Sequence, residues 1–180
     1  MPILRATIAM LEERGQSGNY LLPAGPHVRP MIEKEIANWD VKPELLDGEQ
    51  AKLEAMQTGD VAIAASGTAI LELAMYGVPT ISIYKLDPAI NALRFMMKAW
   101  TAALPNLIAD KVIVPERINE FARPGYIARL AEDLLIESPQ RAAQIEGFKL
   151  VHDKMQQEKP PGQKCAEVVL RLATGKSAPC

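Results

Sequence analysis

The stretch Val61-Ala62-Ile63-Ala64-Ala65-Ser66-Gly67-Thr68-Ala69-Ile70-Leu71-Glu72-Leu73-Ala74-Met75-Tyr76-Gly77-Val78-Pro79-Thr80-Ile81-Ser82-Ile83-Tyr84 carries one charge, on Glu72. By length it could be a membrane-spanning helix. Its punctuation argues otherwise, because Gly67, Gly77 and Pro79 fall where strand-helix-strand turns need them, and Ala and Ser dilute the hydrophobicity. Val61 to Ala65 reads as a continuous apolar strand. Ser66 reads as the N-cap of a helix reaching about Tyr76, with Gly77 as its C′ residue. Pro79 to Tyr84 is the next strand. Short connections between alternating strands and helices imply right-handed βαβ units on a parallel sheet, an α/β fold.

Upstream, Ile3, Leu4, Ile8 and Leu11 share one helical stripe, ended by Gly15 and Gly18. Asn19 to Ala24 reads as a short strand, and Pro30 opens a helix to about Trp39. Val41 to Leu46 is a weak strand interrupted by Pro43, and Glu49 to Gln57 is a helix. Downstream, Asp87-Pro88 starts a helix to about Trp100. Pro105 and Pro115 bracket an apolar, strand-like piece. Helices are predicted from Gly125 to Glu137 and from Ser138-Pro139 to about Gln157. Lys159-Pro160-Pro161-Gly162 is a hinge before a last helix ending near Thr174. The expected organisation is therefore a Rossmann-like domain over residues 1–158, then a hinge and C-terminal helix over 159–180.

Composition narrows the function classes. The 180 residues carry 20 basic and 22 acidic side chains, so no global field favours nucleic acid. Aromatics at 5% make a single-strand stacking platform a poor fit. Cys165 and Cys180 form neither a disulfide framework nor a zinc set, and read as thiols of a reducing, cytoplasmic compartment. With His27 and His152 as the only histidines, a histidine-based metal site or a Ser-His-Asp triad is poorly supported; no metal is expected. His27 reads as a loop residue and His152 as part of a solvated helical face.

Ser66-Gly67-Thr68 lies at the C-terminal edge of the predicted sheet, where α/β folds bind ligands. Free N–H groups and the positive end of the helix favour a phosphate there, with Gly67 admitting a ligand close to the backbone. Plain capping explains many such triplets. Glu72 adds to the signal, because at i+4 from Thr68 it shares that helix face. A carboxylate in an apolar window needs a partner. A sugar diol supplies two donors; Lys85 or Lys111 is the bland alternative.

These residues resemble a known family. Ser66-Gly67-Thr68-Ala69-Ile70-Leu71-Glu72 followed by Gly77-Val78-Pro79 looks like the nucleotide-sugar motif of GT-B glycosyltransferases. Leu104-Pro105-Asn106-Leu107-Ile108-Ala109, then Val114-Pro115-Glu116, is more restrictive, and together they resemble the lipid-A-disaccharide synthase family over essentially the whole chain. The resemblance implies the C-terminal, donor-binding half of a GT-B enzyme. That enzyme would transfer 2,3-diacylglucosamine from UDP to lipid X, without a cofactor, since the UDP-sugar is a substrate. Ser66, Gly67 and Thr68 would meet the diphosphate and Glu72 the ribose hydroxyls. Asn106 and Glu116 would lie near the donor. Asn119 stands where the family usually carries Gln, one methylene longer.

Two family parts are not found in the chain: a Leu-Pro-Gly-Ser-Arg loop before the first helix, and the acceptor domain where the family places its general base. The chain is accordingly expected to be a truncated donor-binding half lacking its first strand and inactive alone, with no catalytic residue to name. Ile90, Leu93, Met97 and Trp100, widened by Phe95 and Met96, give a predicted helix an apolar face. Core packing or a membrane interface explains such a face, with Phe95, Met96 and Trp100 as contact candidates on the inner side of the cytoplasmic membrane. Cys165, Val168, Val169 and Leu172 form an apolar side on the last helix, expected to face another domain or a second subunit. Two alternatives stand beside this reading: another UDP-N-acetylhexosamine GT-B transferase or epimerase, and a non-catalytic nucleotide-sugar or membrane-surface binding module.

Overall fold

A computed structural model describes residues 1–65, 67–86, 100–156 and 160–173. The chain opens with α1 (Pro2–Glu13), whose proline occupies the first turn, where its missing N–H costs nothing. Gly15, at φ 78°, ends it: the Gly15 N–H donates to Glu12 O and the Gln16 N–H to Leu11 O, both at 2.9 Å. There follow β1 (Leu21–Pro23), α2 (Arg29–Ile36), β2 (Glu44–Leu46) and α3 (Gly48–Thr58). Next come β3 (Ala62–Ala64), α4 (Gly67–Met75) and β4 (Thr80–Tyr84), as the low-charge window predicts. Gly77 takes φ 73°, the left-handed value expected of its C′ position. The remainder is α5 (Leu104–Ala109), β5 (Glu116–Ile118), a 3-10 turn at Asn119–Phe121, α6 (Pro124–Leu135), α7 (Pro139–Met155) and α8 (Pro161–Ala173).

All described strand pairs are parallel, which confirms a Rossmann-like α/β architecture with helices flanking the strands. They form two groups, β1 with β2, and β3-β4-β5. Ile81 and Ile83 of β4 point to one face, where Leu11 of α1 and Ile127, Ala128, Ala131 and Leu134 of α6 cover them. On the other face Ile70 and Ala74 of α4 pack with Ala109, Ile113 and Val114, and with Phe148 and Val151 of α7. Met56 of α3, Leu73 and Val78 close the core against Ala62 and Ala64.

One expected strand is not a strand. The piece between Pro105 and Pro115 begins with α5, and the strand comes later, at Glu116–Ile118. Pro105 lies in the first turn of α5, where proline is pre-organised for a helix, and a short apolar run does not by itself distinguish helix from strand. The predicted helix at 88–100 falls on residues 87–99, outside the described residues, and with it Phe95 and Met96. Trp100 is described, and is 53% exposed.

Candidate functional site

The C-terminal ends of β3 and β4 deliver the chain to Gly67 and Leu86. Ser66 lies outside the described residues. Gly67 starts α4 in tight quarters: a Cβ there would stand 3.2 Å from Ala102 O and 3.4 Å from Leu104 Cγ. The glycine therefore lets the chain's own Ala102–Leu104 segment lie close against the start of α4. Thr68 is exposed on the first turn.

One turn further, Glu72 is half-exposed and ion-paired. Its Oε2 lies 2.9 Å from Lys52 Nζ on α3, and Lys52 also reaches Glu49 Oε1 at 3.1 Å. Both carboxylates, Glu72 first, hold the Lys52 ammonium above the ordinary lysine range. The lysine partner is thus neither Lys85 nor Lys111. No sequence signal gave Lys52, because its pairing with Glu72 joins two helices.

The segment against Gly67 is fixed by a buried polar cluster. Asn106 is 1% exposed, and both ends of its amide are engaged. Its Nδ2 donates to Thr101 Oγ1 at 3.1 Å and to Val114 O at 3.0 Å; its Oδ1 accepts from the Ile113 and Val114 N–H groups, each at 2.8 Å. That uses both amide donors and both lone pairs. The geometry leaves Asn106 no amide group to offer a ligand; it acts as an internal support for the segment against Gly67. Glu116 accepts from the Thr101 hydroxyl and, at 3.1 Å, from the Ala102 N–H. Thr101 links the two residues and was not singled out by sequence; an isolated threonine in a loop gives no periodic or motif signal.

Glu116 faces Ser82 across the β4-β5 ladder. Burial, and then the Glu116 charge, raise the Tyr84 phenol above its ordinary range. Asn119 sits at φ 49°, and its Oδ1 accepts from the Leu86 N–H at 2.8 Å, tying the ends of β5 and β4. That carbonyl is engaged within the chain. Arg117 stacks on Tyr126, its guanidinium carbon 4.6 Å from the ring centre, and donates to the phenol oxygen at 2.8 Å. The structure thus brings Gly67, Glu116 and Asn119 toward one edge of the three-stranded sheet, with Asn106 beneath it, and Glu72 on the helix that begins there.

Among the described residues, no cluster of metal-ligating side chains occurs. Nor, among them, is any helix long and apolar enough to cross a membrane.

The sequence model of the family described as lipid-A-disaccharide synthetase matches residues 1–169. The chain belongs to the lipid-A-disaccharide synthase family. Relatives named lipid-A-disaccharide synthase include one from Rhodopseudomonas palustris strain CGA009, 33% identical over 166 residues, covering 91% of this chain and 42% of the relative. Another, from Bradyrhizobium diazoefficiens, is 32% identical over 171 residues, covering 93% of this chain and 43% of its own. A third, from Rhodospirillum centenum, is 31% identical over 176 residues, covering 97% and 44%. The chain spans less than half the length of these lipid-A-disaccharide synthases. The structure packs the start of α4 against the segment leading into α5, through Gly67, Ala102 and Leu104.

Proposed function

We propose that this chain is the donor-binding half of a lipid A glycosyltransferase, with UDP-2,3-diacylglucosamine as donor and lipid X as acceptor. The observation that carries this reading is the placement of Gly67 at the start of α4, at the C-terminal edge of a parallel sheet, with Glu72 one turn beyond. In that arrangement the first N–H groups of α4 face a diphosphate and the Glu72 carboxylate faces a ribose diol. Thr68 adds a hydroxyl at the same edge. Glu116 lies behind the loop that lines it, and Asn106 holds that loop in place. No cofactor enters the proposed reaction.

The reaction needs an activated acceptor hydroxyl, charge stabilisation on the leaving diphosphate and alignment across a cleft. The site described here bears on the second, through the N-terminal end of α4. Residues 1–158 are then the donor domain, and the 159–180 segment carries an apolar face for the other domain or a second subunit. On α8, Val168, Val169 and Leu172 are all exposed. A place at the inner face of the cytoplasmic membrane follows from the acylated substrates, with Trp100 as the described contact candidate.

Calorimetry with UDP tests the donor site. Binding in the millimolar range or tighter is expected, weakened at least tenfold in Glu72→Ala, the loss of about 1.4 kcal/mol typical of hydrogen bonds to a charged group. UDP binding that is absent, or indifferent to that substitution, would overturn the reading.

A further inference from the structure

The ion pair between α3 and α4 is a contact at the candidate site that nothing in the motif requires. Glu72 Oε2 is buried and faces Lys52 Nζ at 2.9 Å; the contact is an ion pair by distance, without the alignment of a hydrogen bond. The Glu72 side chain nevertheless keeps 45% of its surface, and Oε1 is the oxygen not turned to Lys52. Lys52 is itself held from the far side by Glu49 and retains 26% of its side-chain surface. A carboxylate on an exposed glutamate samples several rotamers, and ordering it on binding costs conformational entropy. Here the ammonium fixes one oxygen beforehand and leaves the other outward.

We propose that Lys52 is a positioning residue for diol recognition: it pins Glu72 through Oε2 so that Oε1 is presented, pre-oriented, to the ribose hydroxyls of a nucleoside diphosphate. This rests on the donor-site reading above. Lys52 lies on a different helix from the motif, on α3, so the packing of α3 beside α4 becomes part of the binding site. Lys52 acts through Glu72 and needs no contact with the ligand.

The test is calorimetry on the whole chain with UDP and with 2′-deoxy-UDP as probes, for the unaltered protein, Lys52→Met, Lys52→Arg and Glu72→Ala. Lys52→Met is expected to weaken UDP by about tenfold, one lost charge-assisted contact. It is also expected to narrow the preference for UDP over 2′-deoxy-UDP, whereas Lys52→Arg recovers both. A purely structural lysine would shift both nucleotides equally, and that outcome overturns the proposal. So does Lys52→Met binding UDP as well as or better than the unaltered chain while Glu72→Ala is impaired; the donor site then stands without Lys52. Failure of the unaltered chain to bind UDP removes the donor reading and this inference together.

Discussion

The two strand groups are built differently. In β3-β4-β5 the central strand is sealed: Thr80, Ile81 and Ser82 have no exposed surface, and helices cover both faces. In β1-β2 no strand residue is fully buried, and Leu21 keeps 39% of its surface. Around that group the polar contacts include the ion pairs of Arg29 with Glu33 and with Asp47. Around β4 and β5 they are buried amides. The difference teaches where the fold concentrates its rigidity: at the edge carrying Gly67, Glu116 and Asn119, in a setting where an unpaired polar group costs most.

The contrast is open to direct attack. Asn106→Ala is expected to have the largest effect, because it strands two buried N–H groups and a carbonyl at once. About 3 kcal/mol or more of stability should be lost, seen as a midpoint shift in urea unfolding. A loss below about 1 kcal/mol would show that the buried cluster is dispensable. Gln144→Leu should come next. Its amide accepts from Thr80 N at 2.6 Å and donates to Thr80 O at 2.9 Å and Ile113 O at 3.2 Å. A side chain from α7 thereby replaces a strand partner where β5 has not yet begun. About 2 kcal/mol is expected, with faster hydrogen exchange at the Thr80 amide reporting the broken link.

The smallest effect is expected beside β1. The Tyr20 hydroxyl donates to Glu12 Oε1 at 3.0 Å, and burial together with that carboxylate pushes the phenol up to about 12. In the unfolded chain it ionises near its ordinary value of about 10. The unfolded state therefore loses its proton first, and stability should fall as pH rises from about 10 to about 12. Tyr20→Phe should cost about 1 kcal/mol or less at pH 7 and flatten that alkaline slope in thermal melts. A cost at pH 7 matching Asn106→Ala would erase the distinction between the two strand groups.

Much of the fold was legible because its signals are local. Gly67 and Gly77 bracket α4, the Ile3–Leu11 stripe marks α1, and Ser138-Pro139 opens α7, where the Ser138 hydroxyl accepts from the Arg141 N–H at 3.1 Å. The piece between Pro105 and Pro115 reads as strand-like because a short apolar run fits either period, whereas it begins with α5. Asn106 was singled out from its family motif as a residue near the donor, whereas its four hydrogen bonds go to its own chain. Nothing in the residue order says where an amide's partners lie. Lys52 was passed over for a related reason: on α3 it reads as the i+3 partner of Glu49, which it also is.

The sequence by itself determined the parallel α/β class, the position of the glycine-started helix with its carboxylate one turn on, and the family. Those follow from periodicity, turn chemistry and motif spacing, all properties of neighbouring residues. Only the tertiary structure decided that Gly67 is pressed by Ala102, that Asn106 and Gln144 serve as buried props, that Glu72 is held by Lys52, and that the strands divide into two groups. Each of these depends on groups distant in sequence meeting at hydrogen-bond or van der Waals range, 64 residues apart for Gln144 and Thr80. Such meetings are fixed by packing of the whole chain and leave no periodic trace in it.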